Sequence, residues 1–225
     1  MGDWLEALPA HWIKGLGPEV FTIGRCSYET PGRYYHTWAH VLECLDKLHF
    51  FTCDSPRNVF LAILFHDAVY APGRADNEAE SAALAVATLE RYSSVAASDV
   101  ARVRRMILAT AEHRADDWAD TDVRVLLDID MSILGAERPR YQRYADDVRC
   151  EFAAVAPDER RYRFGRLRFL QGLLARPSLF LTPLARERWE AAARENIRWE
   201  LGELRHRQGW AERAATSVML RLGKA

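Results

Sequence analysis

The sequence predicts an all-α fold, and three observations support this prediction. Apolar residues recur at helical spacing over almost every segment of the 225-residue chain. No run of residues shows the sustained alternation of apolar and polar side chains that is typical of a half-buried strand. The composition is 49% hydrophobic, which suffices to fill one well-packed core in a chain of this length. We therefore expect one compact helical domain over residues 1–225.

We expect the chain to begin with a packing segment, which is followed by two helices. Residues 1–30 are assigned to packing on the surface of the bundle, because their opening stretch is amphipathic but is interrupted at Pro9. One helix is expected over about residues 36–51. A second should run from Pro56 to about Tyr70, where a Pro-Gly turn ends it. Since the second helix is apolar nearly all round, we expect it to be central.

Three more helices are expected before residue 136. Asp76 is a candidate N-cap for a helix over Asn77–Tyr92, and Ser98 for a helix over residues 99–113. Thr121 is the candidate cap of a helix that ends at Gly135. Together with the first two helices, these make residues 31–135 the predicted core of the site.

Residues 136–225 are predicted to complete the bundle. Helical spacing continues over residues 141–152 and 162–174, and a last helix opens at Thr182-Pro183 and extends to Arg205 or beyond. The connector before Pro183 is too apolar for a flexible linker, so we do not expect a second domain.

Charge and cysteine content exclude several classes of protein. The net charge is −1, from 31 basic and 32 acidic residues, which gives no overall field to hold nucleic acid or an anionic membrane. The four cysteines form no C-x-x-C pair, as expected of a reduced intracellular protein.

The chain opens without a signal-peptide pattern, and no apolar run approaches the twenty or so residues needed to cross a bilayer. We expect a cytoplasmic monomer or homodimer with no nucleic-acid or membrane partner.

The most informative feature is the dipeptide His66-Asp67, at the end of the most apolar run in the chain, residues 59–65. Burying a carboxylate beside an imidazole without compensation would cost several kcal/mol, roughly. A metal ion or an opposite charge is therefore the expected partner of this pair.

Further ligands for a metal are available on other predicted helices. His36 and His40 are four residues apart, which would place both imidazoles on one face of a helix. Asp130 has leucine and isoleucine at its three- and four-residue helical neighbours, so it should point with the buried stripe, whereas Asp128 should lie nearer an edge. A histidine, the His66-Asp67 pair and a distant aspartate would suit a divalent first-row metal.

This order of residues resembles the HD superfamily of metal-dependent phosphohydrolases, which is named for its His-Asp pair. The closer resemblance is to a bacterial subgroup of predicted HD phosphohydrolases, and it is carried by residues 33–40, 65–70, 76–82, 110–113, 127–130, 165–166 and 194–196. It implies an HD-type helical bundle with one divalent ion held by His40, His66, Asp67 and Asp130, with Asp128 as the alternative to the last. The metal could be Mn, Mg, Co, Ni, Fe or Zn, and a second ion is possible.

The cyclic-nucleotide phosphodiesterases resemble the chain more distantly, through the His-x-x-x-His spacing. That resemblance implies that His40 binds metal and that His36 protonates the leaving oxygen. Those enzymes have Asn where Thr37 stands here, so their substrate is not carried over. The expected activity is hydrolysis of a phosphoester or phosphoanhydride in a nucleotide or another small phosphorylated metabolite.

Four further residues are candidates for the site. Glu78 could orient water, or it could belong only to a helix cap. Arg33 is the best phosphate clamp by position, and Arg194 is a weaker one. His113 could contact phosphate, bind a second metal or be a packed core histidine that hydrogen-bonds to a carbonyl.

Two other functions stay open at this point. An HD-type di-iron oxygenase would need more histidine ligands than His113 between the His-Asp pair and the last aspartate. A nucleotide-sensing module would keep the site without turnover.

Overall fold

The computed structural model describes residues 8–113, 120–156 and 158–206, and helices dominate all three ranges. The α-helices in chain order are α1 Ala10–Ile13, α2 Pro18–Ser27, α3 Trp38–Leu48, α4 Pro56–Phe65, α5 Asn77–Tyr92, α6 Ala97–Ala109, α7 Thr121–Met131, α8 Arg138–Phe152, α9 Glu159–Leu174 and α10 Pro183–His206. The described residues contain no β-strand, although an isolated bridge joins Leu16 and Ser93. The predicted all-α fold is confirmed.

The chain divides into two compact units, residues up to Asp130 and residues from Met131 onward. The expectation of one domain over residues 1–225 stays a prediction. No helix among the described residues is both long enough and apolar enough to cross a membrane.

The first unit is built around α4. Every residue of α4 from Val59 to Phe65 is fully buried, which confirms that this helix is central. Helix α2 approaches α4 closely at Gly24, where a Cβ atom would lie 2.8 Å from the Leu64 side chain. The described part of the N-terminal segment packs here through Trp12, which is buried and stacks on Phe60.

Two predicted helices of the first unit are shorter than expected at the ends that carry the site. Helix α3 begins at Trp38 because Thr37 is extended, with φ −108° and ψ 176°, so His36 precedes the helix. Helix α4 ends at Phe65, which places His66 at its C-cap and Asp67 in the following turn. The predictions that His36 lies on a helix and that the second helix continues to Tyr70 are wrong.

Two predicted helix caps are wrong, because other residues cap those helices. Asp76 is the N-cap residue of α5, which has the predicted bounds, but its side chain makes no capping hydrogen bond and pairs with Arg74. Helix α6 begins before Ser98, since the extended Ala96 offers its carbonyl to the helix, and it ends at Ala109. At α7 the amide of Val123 donates to Asp120 Oδ1 over 3.2 Å, so Asp120 caps the helix rather than Thr121.

The second unit contains a 3-10 helix over Ser132–Gly135 followed by α8, α9 and α10, which confirms the predicted C-terminal helices. Helix α10 packs against the 3-10 helix at Gly135, where a Cβ atom would lie 2.5 Å from Trp189 Cβ. Asn196 Nδ2 donates to the carbonyls of Leu134 and Ala136, each over 2.8 Å. A buried ion pair joins Arg166 to Glu200.

Candidate metal centre

Four side chains from three parts of the first unit converge, two of them buried histidines and two of them partly exposed aspartates. His40 comes from α3, His66 and Asp67 follow α4, and Asp130 comes from α7. One ligand atom from each lies within 4.8 Å of the other three. The predicted convergence of His40, His66, Asp67 and Asp130 is confirmed, and these residues could hold a metal ion.

The spacing of the ligand atoms fits a single ion. The Nε2 atoms of His40 and His66 are 3.1 Å apart. Two nitrogens bound to one ion at about 2.1 Å, with an angle of 90–109°, would be separated by roughly 3.0–3.4 Å. Asp67 Oδ2 lies 3.2 Å from His66 Nε2, and Asp130 Oδ1 lies 3.3 Å from His40 Nε2. Two nitrogens and two oxygens at these distances suit a divalent first-row metal.

The orientation of the His66 ring also fits a metal ligand. Its Nδ1 lies 2.9 Å from the carbonyl oxygen of Ile63. Because a carbonyl only accepts, Nδ1 must carry the proton that it donates. Histidine ligands commonly donate their second ring nitrogen to a backbone carbonyl in this way, which fixes the ring and leaves the other nitrogen for the metal. The Nε2 lone pair of His66 is therefore directed at the cluster in the neutral ring.

Burial and mutual charge shift the ionisation of all four groups. Burial raises the pKa of Asp67, but the nearby His66 outweighs it and holds the pKa below its usual range. Asp130 likewise keeps a lowered pKa, because its hydrogen bonds to three histidines outweigh burial. Burial lowers the pKa of His40. His66 has a raised pKa because the two carboxylates overcome the effect of burial.

The raised pKa of His66 favours a proton on its ring between the two carboxylates, whose own pKa values are lowered. A divalent cation between the same atoms would replace that proton and compensate both carboxylates more fully. The donor chemistry and the charge balance are thus those of a cation site.

The two carboxylate oxygens of Asp130 face different histidines. Its Oδ1 faces His40 and His66, while its Oδ2 lies 2.9 Å from His113 Nε2. The predicted burial of the two aspartates is wrong, because Asp128 is buried whereas the Asp130 side chain is 15% exposed. Among the described residues it is nevertheless Asp130, and not Asp128, that joins His40, His66 and Asp67 in the cluster.

His113 reaches Asp130 from outside a helix. It follows the end of α6 and has a φ of +48°, a left-handed conformation that costs a non-glycine residue of order 1 kcal/mol or more. Its side chain is 31% exposed and bonds to a carboxylate, so the prediction of a packed core histidine bonded to a carbonyl is wrong. The position fits a residue that orients Asp130.

His36 lies beside the cluster. Its Nε2 is 4.0 Å from Asp67 Oδ2, and its ring stacks on Tyr70 with centroids 4.0 Å apart. The side chain is 19% exposed, so a molecule from solvent can reach it. His36 thus borders the site even though it precedes α3.

Arg33 bonds to the backbone around the site. Its Nη1 donates to the carbonyls of His36 and Asp67, and its Nη2 donates to that of Ala68. Two terminal nitrogens of the predicted phosphate clamp are therefore engaged with carbonyl oxygens.

Two other predicted site residues are not members of the four-residue cluster. Glu78 is half-buried in the first turn of α5. Arg194 hydrogen-bonds within the second unit, to Glu190 and to the carbonyls of Leu174, Arg176 and Pro177. The hydrogen bonds of Arg194 are those of helix and turn stabilisation, and the roles of Glu78 and Arg194 in substrate handling stay predictions.

Sequence reasoning missed the aromatic residues around Arg33. Tyr70 lies within the block of residues 65–70 that carries the family resemblance, so that block contained a signal for it. Tyr28 lies outside every block, and nothing in its sequence context marks it. Comparisons of the chain with models of known protein families, with curated proteins and with solved structures find no match.

Proposed function

We propose that the protein is a metal-dependent phosphohydrolase of the HD type. The observation that supports this most strongly is the meeting of His40, His66, Asp67 and Asp130 in one cluster, in the order along the chain that HD proteins have. The fixed ring of His66 and the role of Asp130 between two histidines add to that support.

The chemistry of phosphoester hydrolysis matches what such a cluster offers. A bound divalent ion would supply an activated water and a Lewis acid for the phosphoryl group. His40, His66, Asp67 and Asp130 would hold that ion, and His113, bonded to Asp130 Oδ2, would keep Oδ1 facing the two histidines.

His36 is the proposed general acid. It lies at the accessible side of the cluster, 4.0 Å from Asp67, and its ring is held by stacking on Tyr70. A proton carried on its imidazole can pass to the leaving oxygen as the bond to phosphorus breaks. The proposed substrate is a nucleotide or another small phosphorylated metabolite, since the chain has no net positive field for a polymer.

A hydrolysis screen tests this function. Chelator-treated protein is assayed for phosphate release from nucleotides and sugar phosphates, with Mn²⁺, Mg²⁺, Co²⁺ or Ni²⁺ added back singly. We expect turnover that depends on added metal and that is lost in His40→Ala. Turnover that survives both chelation and His40→Ala would contradict the proposal.

The same samples distinguish the proposed hydrolase from the two alternative functions, a nucleotide-sensing module and a di-iron oxygenase. Tight nucleotide binding in calorimetry without phosphate release would identify a sensing module. Two irons per chain with an optical band would identify a di-iron oxygenase. Either result would contradict the proposed hydrolysis and favour the alternative function.

A further inference from the structure

Two irregular segments border the metal centre, and one side chain joins them. His36 lies before α3, and Asp67 lies after α4, so neither is held by a helical hydrogen-bond ladder. We propose that Arg33 is a positioning residue that fixes Asp67 and His36 relative to each other, rather than a group that binds phosphate. This inference rests on the proposed metal centre.

The hydrogen bonds of Arg33 span both segments. Nη1 donates to the His36 carbonyl over 3.0 Å and to the Asp67 carbonyl over 2.7 Å. Nη2 donates to the Ala68 carbonyl over 2.9 Å. The planar guanidinium is suited to such a task, because its donors point in fixed directions in one plane. Three carbonyls in two segments are thereby held on one rigid group.

Two tyrosines hold the guanidinium in place. Its central carbon lies 5.2 Å from the ring centroid of Tyr28 and 5.6 Å from that of Tyr70, within the range of cation–π attraction. The Tyr28 hydroxyl accepts the Asp67 amide over 3.3 Å, and Tyr70 stacks on His36. Each aromatic ring thus contacts both Arg33 and one of the residues that Arg33 is proposed to position.

The consequence for the site follows from Asp67. Its carbonyl is bonded to Arg33 and its amide to Tyr28, so the main chain that carries the carboxylate is held on both sides. The carboxylate lies 3.2 Å from His66 and 4.0 Å from His36. Lysine cannot reproduce this arrangement, because an ammonium group concentrates its donors at one point.

The experiment compares Arg33→Lys with a matched control, Arg102→Lys. Arg102 also bonds through a terminal nitrogen within the first unit, to Asp120 and Asp122, and these contacts do not include the four ligands. The Mn²⁺ dissociation constant is measured without substrate, together with kcat, KM and the melting temperature. Full-length protein is used throughout.

The positioning role predicts weaker Mn²⁺ binding in Arg33→Lys, by about 10–100-fold, as is usual for residues that orient metal ligands. It also predicts a lower kcat with little change in KM. Arg102→Lys should keep wild-type Mn²⁺ affinity even where its melting temperature falls. Wild-type Mn²⁺ affinity with a raised KM in Arg33→Lys would overturn the inference and return Arg33 to phosphate binding.

A measurement on the wild-type protein covers the case in which Arg33→Lys does not fold. Mn²⁺ should slow amide hydrogen exchange in residues 33–37, which contain no predicted ligand, as well as in residues 66–70. No change in residues 33–37 would overturn the inference. Wild-type protein that binds Mn²⁺ but hydrolyses nothing would contradict only the proposed function, whereas absence of Mn²⁺ binding would overturn both.

Discussion

Two aspartates on one helix turn show how side-chain direction selects a ligand. Asp128 and Asp130 are both on α7 and both come from an apolar stretch of sequence. They are separated by about 200° around a helix of 3.6 residues per turn, so they face different neighbours. Of these two aspartates, Asp130 is the one that belongs to the cluster, with its Oδ1 3.3 Å from His40 Nε2 and 3.6 Å from His66 Nε2. The more deeply buried aspartate is not the one in the cluster, so the direction of the side chain around the helix, and not its depth of burial, distinguishes the candidate ligand.

This difference predicts the outcome of a matched pair of substitutions. Asp130→Asn should lose most bound metal, because it removes the charge that faces both histidines, while Asp128→Asn should keep it. The check is metal content per folded chain after dialysis. Equal loss in both variants, or the reverse order, would show that the wrong aspartate has been assigned.

The role of His36 gives a second residue-scale prediction. His36→Gln keeps much of the shape and hydrogen bonding of the side chain but removes the titrating group. We expect kcat to fall by about 10²–10⁴-fold, the usual contribution of a positioned acid. Metal content and melting temperature should change little, because His36 is not one of the four ligands.

A substrate whose leaving group needs no proton serves as the control for His36. The loss on a nitrophenyl phosphodiester should be smaller, since an acid assists only where charge develops on the departing oxygen. Loss of metal in His36→Gln would instead make this residue a ligand, and unchanged turnover would remove it from the mechanism.

The candidate ligands were predictable from the sequence, whereas the contacts by which Arg33 and His113 position them were not. A histidine or aspartate in an apolar run needs a partner, so the sequence indicates His66, Asp67 and Asp130 as candidate metal ligands. The contacts of Arg33 and His113 depend on irregular backbone, including the positive φ of His113, which no periodic pattern encodes.

At the scale of elements, helix interiors followed the apolar spacing, but the helix ends that border the cluster did not. The predicted second helix continued to Tyr70, but α4 ends at Phe65, where the chain turns to present His66 and Asp67 to the cluster. The interior of α4 is fixed by burial of its apolar side chains. Its end depends on contacts between distant segments, such as the bond from Arg33 to Asp67. Such contacts cannot be inferred from local spacing.

The connection between α9 and α10 is held in place by one charged side chain, Glu190. Glu190 accepts hydrogen bonds from the amides of Leu179 and Phe180, the Ser178 hydroxyl and Arg194 Nε. Burial acts to raise the pKa of Glu190, but these donors outweigh it and lower the pKa from its usual value of 4.5. An apolar connector is thereby tied to α10, in agreement with the prediction that it is not a flexible linker.

A pH-dependent stability effect is expected from Glu190. Since its folded-state pKa is the lower one, the carboxylate stabilises the fold above pH 4.5, and this contribution is lost as pH falls through the folded-state pKa. Glu190→Gln should lower the free energy of unfolding by about 1–2 kcal/mol at pH 7. The difference from wild type should shrink below pH 4.5.

Chemical denaturation at several pH values checks this prediction, with Glu187→Gln as the control. Glu187 lies exposed on the same helix, so its variant should match the wild type at every pH. A Glu190→Gln deficit that stays constant down to pH of about 3 would show that the charge is not responsible.

At the scale of the whole chain, the net charge is close to zero, and the described residues contain one His/Asp cluster that could hold a metal. All four candidate ligands belong to the first unit, which ends at Asp130. The described residues of the second unit supply buried polar contacts such as the pair of Arg166 and Glu200. Arg166 and Asn196, from the segments 165–166 and 194–196, make buried hydrogen bonds within that unit.

Metal binding should depend on pH because protons and the ion compete for the same nitrogens. The raised pKa of His66 means that its proton must leave when metal binds at neutral pH. We expect affinity to fall steadily as pH is lowered through neutrality, with about one proton released per ion at pH 7. Calorimetry in buffers of different ionisation enthalpy measures this release. Affinity that stays flat down to pH of about 5 would indicate a site made of carboxylates alone.

The central claim is that His40, His66, Asp67 and Asp130 hold one divalent ion. Elemental analysis of wild-type protein and His66→Ala, each loaded with Mn²⁺ and dialysed, tests it most directly. The structure predicts one ion per wild-type chain and a large loss in His66→Ala, because that variant removes a nitrogen facing both carboxylates. Wild-type metal content in His66→Ala would contradict the claim.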